Sequence, residues 1–206
     1  MNEVNNKKGG FLPLQTMMKV AMFAALGFVL GYFRFPVPIF PAFLEFDIAD
    51  VPIVVGALLM GTIPGILIVI LTYVLGIIIR GTTTMGIGPF MNIMLGMTYV
   101  IVINYVYGHF KSDKGLVLGA ILASLAGTLM GALLNYTLVI NAYAHLFGGM
   151  DRIINMARAV HPSIDSVGRI VMFSIVPFNL IKFTYVSILA VVMYKAMERH
   201  VKWLKI

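Results

Sequence analysis

The sequence predicts an all-α integral membrane protein with six transmembrane helices, two of them short, and both termini cytosolic. Three observations predict it. The 206 residues are 60% hydrophobic and 11% charged, against about 25% charge in an ordinary soluble domain. A charge-free run over 51–79 is interrupted by Gly61-Thr62-Ile63-Pro64-Gly65. The basic residues sort to one side only when that interruption is a turnaround. At ~20 apolar residues per helical span, the length holds five or six spans and short loops, read as one membrane domain over 1–206 with no water-soluble catalytic domain.

Residues 1–10 are polar, carry Lys7 and Lys8, and precede no small-residue cleavage site, so they read as a cytosolic tail and not a cleavable signal. The first span is predicted at 14–33, with Lys19 near enough to its end to snorkel. Residues 34–50 form a loop rich in Pro and aromatics. The run over 51–79 is too long for one span and too short for two full ones, and Gly with Pro breaks a helix, so two short helices are expected at about 50–60 and 64–80. The later spans are expected at about 88–109, 115–146 and 168–195. On this topology Lys7, Lys8, Lys19, Lys111, Lys114, Lys195, Arg199, Lys202 and Lys205 share one side, against Arg34, Arg80, Arg152, Arg158 and Arg169 on the other. The positive-inside rule makes the richer side cytosolic. The formal charge of +7 therefore reports orientation and not a nucleic-acid partner. The outer side receives the three longest connections, 34–50, 80–89 and 147–169.

Lys182 is the most informative residue, because it lies midway along the last span, ~18 Å of helix from either end. A mid-membrane Lys costs about 2.5–3.5 kcal/mol even on an insertion scale, so it must face a polar cavity or a partner. Asn179 shares its helix face, and Pro177 frees a backbone carbonyl nearby. A binding site fits this set best; a structural Lys paired with an acid or with carbonyls is the alternative. Asn135 and Asn92 are two further amides within spans. Interhelical hydrogen bonding explains any single one as well as ligand contact does, and only their convergence with Lys182 favours a site. In Gly81-Thr82-Thr83-Thr84-Met85-Gly86-Ile87-Gly88 the hydroxyls and amides suit the polar edge of a planar ligand, or equally the cap of the fourth span. Asp50 reads as the N-cap of the helix starting at Val51-Pro52, whereas Glu45 and Asp47 stay open as ligand groups. Phe43 and Tyr136 are the aromatics expected to stack on a ligand. Ala21 and Ala25, like Gly27 and Gly31, stand four apart and allow close helix approach; internal packing is the default reading.

Catalytic signatures are missing. His109, His145, His161 and His200 have no metal-ligand spacing, there is no Gly-x-Ser-x-Gly elbow, Cys is absent, and the acids lie almost entirely in predicted loops, so no intramembrane acid pair is visible. No enzyme activity, metal or cofactor is expected. No ATP-binding motif occurs either, so active transport would need an ion gradient or a partner.

Four stretches, Phe35 to Pro52 (FPVPIFPAFLEFDIADVP), Gly81 to Asn92 (GTTTMGIGPFMN), Leu134 to Tyr143 (LNYTLVINAY) and Ile175 to Lys182 (IVPFNLIK), resemble in order the riboflavin-specific S component of energy-coupling factor (ECF) vitamin transporters. The resemblance implies six helices with cytosolic termini, a cell-membrane location and a riboflavin pocket near the outer face. It implies that Asn179 and Lys182 contact the flavin or its ribityl chain, with Asn135, Glu45, Asp47 and the Thr82–Thr84 loop, including Thr83, as further candidates beside Asn92. It implies that Ala21 and Ala25 contact the transmembrane coupling (T) subunit, and that two ATPase subunits complete the complex. The pattern departs at Thr72-Tyr73-Val74, where members carry a Lys-Asn pair, and at Asn141, where they carry a Pro. The first departure keeps a pyridoxine- or pantothenate-type substrate as an alternative, and a self-sufficient secondary carrier is the rival of a different class.

Overall fold

A computed structural model describes residues 12–200, with side chains through Glu198. Lys7, Lys8, Lys202 and Lys205, and the side chain of Arg199, lie outside what is described. The described residues form α1 (Leu14–Leu30), a two-residue antiparallel ladder of β1 (Phe35–Pro36) with β2 (Glu45–Phe46), then α2 (Asp50–Met60), α3 (Thr62–Arg80) and α4 (Ile87–Phe110). Three more helices follow: α5 (Asp113–Phe147), α6 (Met150–Arg158) and α7 (Val167–Glu198). Four of them, α3, α4, α5 and α7, are long and apolar enough to cross a membrane; α1 and α2 are apolar but shorter.

The turnaround after α2 forms because Gly61 adopts φ +93°, ψ −176°, a region open essentially to Gly alone. Pro64 then falls in the first turn of α3, where its missing N–H removes no helical bond. Every residue of α2 is buried, which explains an apolar helix of only 11 residues: it is hydrophobic all round because protein surrounds it. The outward faces of the longer helices carry exposed apolar side chains, among them Leu129, Leu133, Ile188 and Val192, as a lipid-facing surface requires.

Glycines set the closest approaches. A Cβ on Gly65 would stand 2.5 Å from Ala57 Cβ and 2.8 Å from Val100 Cγ1, so α3 turns back against α2 and α4 only without a side chain there. Gly65→Val is expected to destabilise the protein by about 1–3 kcal/mol through overpacking, read as a lower thermal midpoint by circular dichroism.

Three features depart from the sequence reading. Residues 147–169 contain a helix, α6, held by buried Ile153 and Ala157; it is too short and too polar on its outer face to stand out among loop residues. The 34–50 connection carries the β1–β2 ladder. Two helices also contain π turns, Asn135–Val139 in α5 and Val171–Ile175 in α7. The second immediately precedes Pro177, whose ring conflicts with the carbonyl four residues back and whose missing N–H leaves a gap in the ladder.

Candidate ligand-binding pocket

Lys182 is 4% exposed and does not meet hydrocarbon. Its Nζ lies 2.9 Å from Asp50 Oδ2 and 3.8 Å from Asp47 Oδ2. Asp50 does not cap α2: it sits in the first helical turn, no side-chain cap bond forms, and the Tyr73 hydroxyl donates to its Oδ1 at 2.7 Å. The local cap rule fails here because the buried Lys182 ammonium and the Tyr73 hydroxyl hold the carboxylate more strongly than neutral backbone amides would. Asp47 is the residue with local geometry, its Oδ1 accepting from the Ala49 amide at 3.1 Å. Asp47 lies in a loop as expected and Asp50 in the first turn of α2, but both are buried, so an acid pair that the sequence did not make visible stands inside the protein.

Lys182 and Asp47 also form part of the wall of a cavity of about 590 Å³, so the ammonium has both acidic partners and a hollow beside it. All seven residues expected to line a site do line this one: Glu45 and Asp47 from the 34–50 connection, Thr83 and Asn92 around the start of α4, Asn135 from α5, and Asn179 and Lys182 from α7. The two buried amides are oriented alike. Asn135 Nδ2 donates to Gly131 O at 2.8 Å and Asn179 Nδ2 to Ile175 O at 2.9 Å, which fixes each side chain against its own helix and leaves each carbonyl oxygen without a protein donor among the described residues. Gly131 makes room for this, because a Cβ there would stand 2.9 Å from Asn179 Nδ2.

The Gly81–Gly88 segment secures the start of α4 and also borders the cavity. Thr84 Oγ1 accepts from the Gly88 amide at 3.1 Å and Thr82 Oγ1 from the Gly86 amide at 3.2 Å, so these two hydroxyls tie down the start of α4. Thr82, Thr83 and Thr84 all border the cavity. Of the expected aromatics, Phe43 lines it and meets Tyr143 edge-on at 6.2 Å, but Tyr136 is 59% exposed and points away. Tyr143 takes that place.

Residues missed by sequence reading are Tyr143, Asp50, Tyr73, Arg34 and Arg80. Tyr143 and Val139 follow Asn135 at helical spacing, so the helix face itself was a usable signal. Arg34 Nε and Arg80 Nη1 both donate to Gly31 O, at 3.0 and 2.6 Å, a pairing that suits the carbonyl end of α1. Both arginines line the cavity mouth, and Arg34 lies 3.9 Å from Glu45. The departures noted in sequence have structural uses: Thr72 Oγ1 donates to Ala24 O at 3.3 Å, tying α3 to α1, and Asn141 is exposed, bonded to Thr137 O. The small pairs on α1 point in opposite directions. Gly27 and Gly31 pack inward, Gly27 against Thr72 and both against Ala49, whereas Ala21 and Ala25 are exposed.

The apolar helices and their polar, ligand-sized hollow define an integral membrane protein built around a small-molecule pocket. The chain belongs to a family within that class: a family model described as "ECF transporter, substrate-specific component" matches residues 15–194. It is similar to the riboflavin transporter RibU of Staphylococcus aureus (strain TCH60), 28% identical over 90% of this chain and 92% of that one. It is also similar to the riboflavin transporter FmnP of Bacillus subtilis (strain 168), 27% identical over 83% and 85%. A solved S component of a bacterial ECF transporter superposes with a TM-score of 0.73 at 25% identity, covering 91% of this chain and 98% of that one. The protein is thus a multi-pass cell-membrane transport component and not an enzyme.

Proposed function

We propose that this chain captures riboflavin from outside the cell and hands it to an ATP-driven ECF complex, with α1, α2, α3, α4, α5 and α7 as its six membrane segments and both termini cytosolic. The observation that carries this is the buried Lys182 ammonium on the wall of a cavity where Asn92, Asn135 and Asn179 converge. A volume of about 590 Å³ falls in the usual range for a drug-sized ligand. Charge narrows the choice. The cations at the cavity, Arg34, Arg80 and Lys182, are matched by Glu45, Asp47 and, behind Lys182, Asp50, so no cation is in excess to hold a carboxylate. A neutral, planar, polar ligand such as riboflavin suits that balance better than the pantothenate anion, and it fills the volume better than pyridoxine. The names of the similar transporters agree.

The ligand would accept from Lys182, exchange hydrogen bonds with Asn135, Asn179, Asn92, Thr83 and the Glu45/Asp47 loop, and rest against Phe43 and Tyr143. The exposed Ala21 and Ala25 would face the T subunit, where small side chains permit close helix approach, and two ATPase subunits would supply the energy that this chain has no motif to harvest. The test is a titration of the detergent-purified chain against riboflavin, pyridoxine and pantothenate. Strong quenching of riboflavin fluorescence with no competition from the other two is expected. Binding of pantothenate or pyridoxine without riboflavin would overturn the assignment, and ATP-independent uptake by the chain alone in vesicles would favour a secondary carrier.

A further inference from the structure

The ammonium of Lys182 is held by groups that continue away from the cavity. Lys182 and Asp47 belong to the cavity wall, but Asp50 and Tyr73 stand behind it. These side chains come from different elements: Asp50 from the first turn of α2, Tyr73 from the middle of α3 and Lys182 from α7. Tyr73 donates to Asp50 Oδ1 at 2.7 Å, and Asp50 Oδ2 lies 2.9 Å from Lys182 Nζ. Asp47 Oδ2, at 3.8 Å from Nζ, is beyond hydrogen-bond reach, and its Oδ1 is occupied by the Ala49 amide.

An ammonium has three N–H donors, and a carboxylate clamped from behind fixes where one of them points. We propose that Asp50 and Tyr73 are positioning residues: Tyr73 fixes the Asp50 carboxylate, and Asp50 fixes the Lys182 ammonium so that its other donors face the cavity. Asp50 thereby also spares Asp47, whose Oδ2 stays available to accept from an N–H of the ligand. Without Asp50 the ammonium would close the short gap to Asp47, spending both a donor and that acceptor on each other. This rests on the reading that Lys182 contacts the transported ligand. A purely structural ion pair would stabilise the fold without affecting how the ligand is held.

A double-mutant cycle on riboflavin affinity separates the two, because a positioning residue acts only through the group it positions. Tyr73→Phe keeps the ring and removes one buried hydrogen bond to a charged acceptor. It is expected to weaken riboflavin binding about tenfold in the natural background, and Asp50→Asn by more. In a Lys182→Met background, Tyr73→Phe is expected to cause no further loss. No loss in the natural background, or the same loss in both, would overturn the proposal. A second arm needs no ligand: limited acetylation of the ligand-free protein with acetic anhydride, read by mass spectrometry as Lys182 modification relative to Lys195. Tyr73→Phe is expected to raise that ratio severalfold by loosening the ammonium from Asp50; an unchanged ratio would overturn the proposal. If the natural protein does not bind riboflavin, the assigned ligand fails, and the acetylation arm still decides whether Asp50 and Tyr73 hold the amine.

Discussion

Replacing Lys182 with alanine is expected to lower riboflavin affinity by about ten- to a hundredfold, since a charge-assisted hydrogen bond contributes about 1.5–3 kcal/mol. Lys182 stands between Asp50 at 2.9 Å and Asp47 at 3.8 Å. Removing it leaves two buried carboxylates without a cation. Breaking a buried pair by deleting one partner costs about 3–5 kcal/mol, so the thermal midpoint should fall together with the affinity. Lys182→Arg should restore neither fully, because a planar guanidinium is larger and cannot occupy the space of a compact ammonium behind which Tyr73 and Asp50 are already packed. Fluorescence titration and circular dichroism on the same preparation measure both effects.

The second large effect is expected at a residue that touches no ligand. Gly131→Ala would put a Cβ 2.9 Å from the Asn179 amide. The contact is tighter than real side chains tolerate, and the nearest atom is the group that fixes Asn179 against Ile175 O. Asn179 has to rotate or α7 has to retreat, and Asn135, bonded to Gly131 O, feels the same shift. A loss of about tenfold in riboflavin affinity is expected from misplacing one polar group, accompanied by a loss of stability of about 1–3 kcal/mol from overpacking. If Gly131→Ala instead lowers the thermal midpoint while affinity holds, the Asn179 amide is not part of the binding surface.

The apolar segments, the break at Gly61 and the place of Lys182 on a cavity wall, away from lipid, were legible because each rests on a local cost. Helix length, a Gly-Pro pair and a charge far from either helix end can all be counted along the chain. Asp50 was misread for the complementary reason. Its neighbours Val51-Pro52 fit a capped helix start, and its true partners, Tyr73 and Lys182, stand 23 and 132 residues further on in the sequence. Only packing of α2 between α3 and α7 brings them together. Tyr136 could have been set aside from geometry, since a residue adjacent to Asn135 on a helix points to a different face, and that face leads to Val139 and Tyr143. The π turns, in contrast, carry no pattern that periodicity can detect; Pro177 gives a reason for one of them only after the turn is seen. Helix α6 escaped notice in 147–169 although Ile153 and Ala157 stand one turn apart on a buried face opposite charged residues: a search for long apolar spans passes over nine residues that are polar on average.

The central claim is that the buried ammonium of the last helix serves a ligand and is not solely paired with acids. A ligand-bound structure of the riboflavin-loaded protein tests it most directly. The flavin should occupy the hollow between Phe43, Asn135 and Asn179, with one of its oxygen or nitrogen acceptors about 2.7–3.2 Å from Lys182 Nζ. Flavin bound elsewhere, or bound in the hollow while Lys182 stays engaged only with Asp47 and Asp50, would contradict it.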